Sequence, residues 1–337
     1  MGVYFIMASM ADVARLAGVS PALVSRYVNG KTGVGVDNRD KIAEAISTLG
    51  YRRNEIARSL ARKKTDAIGV VIDFLCQNFF HELVKGLEAG GQQAGYKLIL
   101  CDCMNDAELK RSYIDYLSHN RVDGLVMYGS LYTDNQIVAQ LASSSFPFIL
   151  IENDVPGVSA DKVLVDSRGG IEQMVCRLYD KGCKDIRMVC WMLNTFAGQE
   201  RLEGYRSGMS KCGLPVNESS IYRTNTKDMT KLAMREVVES GNLPDALIFG
   251  ADELAFAAIE VFEKHGIQIP GNMAITGFDH DYYISRDRLM PRLTTLEQPL
   301  FEMGKTAVKM LAERIAEPKI PARSMNYSVK LIEGVSG

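Results

Sequence analysis

Tryptophan occurs once in the 337 residues, as Trp191, and histidine four times. None of the four histidines pairs with a nucleophile at a recognisable spacing, so the chain offers no catalytic base of the usual kind and is expected not to be an enzyme. Seven cysteines stand at 76, 101, 103, 176, 183, 190 and 212. They form no C-x-x-C and have no histidine at metal-ligand spacing, so no zinc site and no disulfide framework is expected, and reduced thiols point to a cytoplasm. A G-x-G-x-x-G between strand and helix is also missing. Gly30-Lys31-Thr32 resembles the end of a phosphate-binding loop but lacks the glycine five residues earlier, so no nucleotide cofactor is expected. No apolar run reaches membrane-spanning length. The opening Met1–Met7 stretch is too short for a signal peptide and has no basic start; Met7 is a second candidate start.

What is present is unevenly charged. The chain carries 39 basic and 41 acidic residues, a net −2. Residues 1–66 hold eleven Lys or Arg against six Asp or Glu, a net +5, and the rest of the chain is net −7. A basic head on an acidic body suits a head that meets phosphate. The head opens with Ser9 and Asp12 in capping-box spacing. Val13, Ala14, Leu16 and Ala17 follow as one apolar helical face, and Gly18 ends that helix. Ser20 then caps a second helix with Pro21 at its first position, and Val24 and Val28 form its inner face. Asp37 to Leu49 reads as a third helix with Ile42, Ala45, Ile46 and Leu49 inward. Two short helices joined by a glycine turn form a helix-turn-helix, whose second helix enters a DNA major groove. Pro21 and Ala22 are placed to touch a base methyl, and Ser25 and Arg26 follow one turn on, where a guanidinium pairs with a guanine edge.

Three runs carry a resemblance to a known family. The first is Ala11-Asp12-Val13-Ala14 with Ala17-Gly18-Val19-Ser20. The second is Val24-Ser25-Arg26 with Val28-Asn29. The third is Gly50-Tyr51 followed by Asn54, Ala57 and Leu60 at three-residue steps. Together they resemble the DNA-binding head and hinge of the LacI/GalR family of bacterial transcription regulators, contiguously over roughly residues 8–70 and in spaced motifs to about 304. The resemblance implies DNA contacts by Ser20, Ser25, Arg26 and Asn29. It also implies a hinge helix near 54–66 that folds on the operator beside its twin, with Leu60 wedged into a base step. A small Ala57 and an apolar Leu60 suit close helix approach and such a wedge. Reading a palindrome takes a homodimer, with a tetramer left open.

Beyond residue 66 the pattern turns to alternating short strands and helices, which demands parallel sheets covered by helices. The expected fold is thus a three-helix head (9–53) after a short tail (1–8), a hinge (54–66), and an α/β body (67–337) of two doubly wound lobes. The first lobe is read as about 67–164 plus 280–297, and the second as about 165–279 plus 298–337. A small ligand would sit between the lobes at the strand carboxyl ends. Asp73 ends the first strand, Phe79-Phe80 starts the next helix, and Trp191 ends a later strand. By resemblance, Arg201 before Gly204-Tyr205 and Asp279 after Gly277-Phe278 bind the effector, and Gln298 matches a further motif. The chain departs from the family at Ala251-Asp252, where Asn-Asp is usual, leaving Asp252 as a helix cap. It departs again at Glu152-Asn153, where Asp-Arg is common. The implied activity is regulated transcription, most often repression, under a small effector. A sugar is the family's usual choice, with nucleobases and other metabolites open. The alternative is a cytoplasmic sensor that binds ligand without an operator.

Overall fold

A computed structural model describes residues 8–52, 62, 64–73, 75, 80–129, 131–280 and 293–337. The chain divides between Thr65 and Asp66 into two compact units. The first holds helices α1 (Met10–Ala17), α2 (Pro21–Val28) and α3 (Val36–Leu49). Ser9 and Asp12 close their capping box reciprocally, and Gly18 takes the left-handed turn (φ 65°) that redirects the chain into α2. Val13, Ala14, Ala17, Val24, Val34, Ile42 and Ala45 form the core. Leu16 does not join it. It is 53% exposed, because its place on so short a helix turns it away from both partners.

The second unit starts with β1 (Ala67–Ile72), α4 (Phe80–Ala94), β2 (Lys97–Asp102), α5 (Ala107–Ser118), β3 (Gly124–Tyr128), α6 (Asn135–Ser143), β4 (Phe148–Ile151) and β5 (Asp161–Val165). The chain then crosses into α7 (Ser167–Asp180), β6 (Ile186–Cys190), α8 (Phe196–Lys211), β7 (Ile221–Arg223), α9 (Lys227–Glu239), β8 (Ala246–Phe249), α10 (Asp252–Lys264) and β9 (Ala274–Thr276). It ends with β10 (Thr295–Glu297), α11 (Leu300–Ala316), β11 (Ser324–Tyr327) and β12 (Lys330–Ile332). The first sheet runs β11-β5-β4-β3-β1-β2 and the second β7-β6-β8-β9, all pairs parallel; β10 and β12 form an antiparallel pair. Each large sheet has a hydrophobic core on both faces, as strands buried on two sides require.

The C-terminal third sits differently from the sequence reading. Helix α11 belongs to the first lobe, with Leu300, Met303, Ala307, Val308 and Leu311 in the core built on Ile68, Leu83 and Ile149. Strand β11 extends the first sheet by pairing with β5. Conversely, Leu293 and Leu296 pack in second-lobe cores. Residues 293–297 therefore belong to the second lobe rather than the first, and 298–327 to the first rather than the second. The reason is steric: α11 lies against α4 so closely that a Cβ on Gly86 would meet the Phe301 carbonyl at 2.0 Å, and one on Gly304 the Leu83 carbonyl at 2.6 Å. Apolar periodicity shows that a helix packs, but not on which sheet. No helix among the described residues is long and apolar enough to cross a membrane.

Candidate functional site

Two regions gather the residues singled out above. In the head, the start of α2 is an outward-facing edge. Ser20, Pro21, Ala22 and Arg26 are exposed and Ser25 is half-buried, while Val24 points into the core. The Ser20 hydroxyl accepts from the Leu23 N–H at 3.3 Å, so it caps the helix while remaining accessible. At the other end Asn29 donates from Nδ2 to the Ser25 carbonyl at 2.7 Å, which ties the two positions together. The arrangement presents one cation and three small side chains on a rigid helix, the shape a major groove admits. Asn54, Ala57 and Leu60 lie outside the described residues.

In the body, the strand carboxyl ends bring together groups from both lobes. Arg201 on α8 is 5% exposed and donates from Nη1 to the Gly250 carbonyl at 2.5 Å and from Nη2 to Asp279 Oδ1 at 3.3 Å. Its guanidinium lies 3.8 Å over the Phe278 ring, a cation–π contact. Gln298 donates to the same Asp279 oxygen at 2.7 Å. Asp279 itself is held in a left-handed backbone conformation (φ 105°), rare outside glycine, and its N–H donates to Leu296 on the returning chain. So Arg201, Asp279 and Gln298, widely separated in sequence, meet in one cluster.

The first lobe answers with Glu152 and Tyr128. Glu152 follows β4 with φ 51° and is 3% exposed; its carboxylate accepts from the Val165 N–H at 2.7 Å. Burial pushes its pKa up to about 7, against the pull of that N–H and of Arg201, with Asp279 and Glu200 adding to the rise. Burial, with the Glu152 and Asp279 charges, likewise pushes the Tyr128 hydroxyl well above its ordinary value. Buried polar atoms remain without a partner among the described residues: Arg201 Nε, Gln298 Oε1 and Asn153 Nδ2. Two of these, Arg201 Nε and Gln298 Oε1, belong to the Asp279 cluster, and a polar ligand would satisfy them.

The remaining candidates divide. Asp73 is not a free carboxylate: it pairs with the buried ammonium of Lys110, which also reaches Asp134 at 2.7 Å. The pairing lies within the lobe, and burial, with the Asp134 and Asp102 charges, raises the Asp73 pKa against the pull of Lys110. Phe80 is core, 4% exposed, with its ring edge-on to Tyr128 at 4.8 Å. Phe79 is outside the described residues. Trp191 is half-buried against the second-lobe core. Asp252 is not the cap of α10; Ala251 holds that position without a side-chain bond, and Asp252 instead accepts from the Thr295 hydroxyl at 2.7 Å. Sequence reasoning missed Tyr128, Lys110, Asp134 and Thr295. Tyr128 was findable, since it ends a strand as Asp73 follows one. Among the described residues no cluster of His, Cys, Asp and Glu could hold a metal ion.

A helix-turn-helix head joined to a two-lobed parallel α/β body with a polar cleft defines a class: ligand-responsive DNA-binding regulators. Residues 9–54 match the bacterial regulatory proteins of the lacI family, and residues 175–336 match a periplasmic binding protein-like domain. The chain is 32% identical over 333 residues, 97% of each protein, to the HTH-type transcriptional repressor PurR of Vibrio cholerae serotype O1 (strain M66-2). It is 31% identical over 304 residues, 90% of this chain and 91% of the relative, to catabolite control protein A of Priestia megaterium. Among solved structures, the lac repressor dimer bound to operator and an anti-inducer superposes with a TM-score of 0.84 at 21% identity, covering 98% of this chain and 99% of that one. The transcriptional regulator CelR in complex with cellobiose gives 0.74 at 25% identity, covering 98% and 100%. The chain belongs to the lacI family of bacterial transcription regulators.

Proposed function

We propose that the protein is a cytoplasmic homodimeric repressor that reads a palindromic operator through α2 and whose operator affinity is set by a small polar effector bound at Arg201, Asp279, Gln298 and Glu152. The observation that carries the effector half is the pair of orphaned buried polar atoms, Arg201 Nε and Gln298 Oε1, beside the Arg201–Asp279 pair. They call for a ligand that accepts from Arg201 Nε and donates to Gln298 Oε1. A sugar does both through its hydroxyls, and a nucleobase does both through its ring edge. Ser20, Ser25, Arg26 and Asn29 are proposed as the head's DNA contacts, with Asn54, Ala57 and Leu60 as the minor-groove hinge. The PurR relative supports this reading, being a repressor in name. Ligand binding between the lobes would shift their packing and so the spacing of the paired hinges. Such couplings are typically about 1–3 kcal/mol.

The test is selection of random duplexes with the full chain, then measurement of stoichiometry on the selected sequence. Two protomers on a palindrome is the expected result. A single protomer, or no sequence preference, would refute the proposal.

A further inference from the structure

Outside the chain crossovers, the two lobes touch through their backbones. Leu131 of the first lobe bridges Thr195 of the second in antiparallel fashion, and the Tyr132 N–H donates to the Asn194 carbonyl at 2.9 Å. Both sides of this contact are anchored. On the first-lobe side, Tyr132–Asp134 forms a 3-10 turn, and Asp134 at its end is 1% exposed and bonded to Lys110. Lys110 is itself 2% exposed and joins the end of β1 at Asp73 to that turn. A buried ammonium between two carboxylates fixes geometry, because misalignment leaves charge uncompensated in a poor solvent. On the second-lobe side, Thr195 caps α8 by accepting from Gly198 N–H at 3.1 Å. Gly198 lets α8 start against the end of β6, where a Cβ would meet the Met192 carbonyl at 2.2 Å. Arg201 lies on that same helix.

We infer that the Leu131–Tyr132 and Asn194–Thr195 segments form an interlobe latch that holds the cleft shut, with Lys110 as the residue that positions its first-lobe half. The latch links the anchored turn to the helix carrying Arg201, so release of effector requires it to break. Its regulatory role rests on the function proposed above.

The test uses the full chain. Tyr132→Pro removes the latch N–H with little other disturbance. Leu131 is already extended (φ −68°, ψ 148°), as a residue before proline must be, and the ring of Tyr132 is 41% exposed. Amide exchange across 193–199 is expected to quicken at least tenfold; unchanged exchange overturns the latch. Leu131→Cys/Thr195→Cys sits at a pair without mutual hydrogen bonds, the antiparallel spacing that suits a disulfide. Oxidised glutathione supplies the oxidant: each pair of thiols loses two protons and two electrons, and glutathione disulfide takes them up as two glutathiones. Peptide mapping against the single-cysteine controls is expected to find the 131–195 cross-link, and its absence overturns the latch. Asp73→Asn/Lys110→Met/Asp134→Asn leaves no charge stranded and is expected to quicken exchange at 193–199 as the proline does; wild-type exchange there removes Lys110 from the account. On a duplex selected by the wild type, oxidised and reduced double-cysteine protein are expected to differ in affinity at least fivefold. Equal affinities overturn the regulatory role. Loss of sequence-specific binding by wild type and both variants counts against the proposed function instead, while cross-linking and exchange still decide the latch.

Discussion

The head and the body solve opposite problems. The head has little interior, so its functional side chains stand outside a small core whose caps are satisfied locally. The body is large enough to bury charge, and its functional groups lie inside, held by each other. In the head, function and stability are therefore separable; in the cleft they are not. A substitution at Arg26 touches solvent, whereas one at Arg201 strips the counter-charge from Asp279 and Glu152 at once.

That contrast can be broken by substitution. The largest effect is expected at Arg201→Ala, which takes the buried guanidinium away from the Asp279 and Glu152 carboxylates. Such losses run to about 3–5 kcal/mol, read as a drop in urea-unfolding free energy. A loss under about 1 kcal/mol, the range of exposed pairs, would mean that the cluster is open to water. Next is Glu152→Gln. Because the folded-state pKa is raised to about 7, the folded protein binds more protons than the unfolded chain between the ordinary carboxyl value of 4.5 and that point. Wild-type stability should therefore fall as pH rises through this window, by at most about 3 kcal/mol. The amide keeps an acceptor for Val165 and should flatten the dependence, stabilising the protein at pH 8 relative to wild type and little at pH 5. Parallel unfolding curves for the two proteins across pH would contradict the burial argument.

The head's effects are smaller and appear in binding. Arg26→Ala should weaken the selected operator by about 1–3 kcal/mol and relax its preference at one base pair. Its unfolding free energy should stay within about 0.5 kcal/mol, as for surface sites elsewhere. A melting shift as large as that of Arg201→Ala would erase the distinction. Smallest of all is Leu16→Gln, expected to change stability by less than about 0.5 kcal/mol because the side chain is already in water. A larger loss would show that Leu16 is covered in solution.

Legibility followed the range of the interactions. Caps and turns depend on neighbours, so Ser9–Asp12, Gly18 and Ser20–Pro21 could be read directly. The βα alternation was equally plain, since buried parallel strands are short apolar runs. What escaped was set by distant partners. Nothing near Lys110 announces that it is buried between Asp73 and Asp134, so a carboxylate that looked free is ion-paired. The Asp252–Thr295 bond joins residues 43 apart in the sequence, so an apparent cap serves elsewhere. Strands β7, β10, β11 and β12, three or four residues each, are too short to carry a period. Helix α11 showed its apolar face but not its destination, which the glycines of α4 decide by allowing close approach.

The most direct measurement is operator affinity of the full chain across a salt series, with and without a sugar or nucleobase that raises its melting temperature. The account predicts affinity falling steeply with salt, as phosphate contacts require, and a shift of at least about fivefold on adding the compound. Binding that is indifferent to salt, or an affinity that the bound compound leaves unmoved, would contradict it.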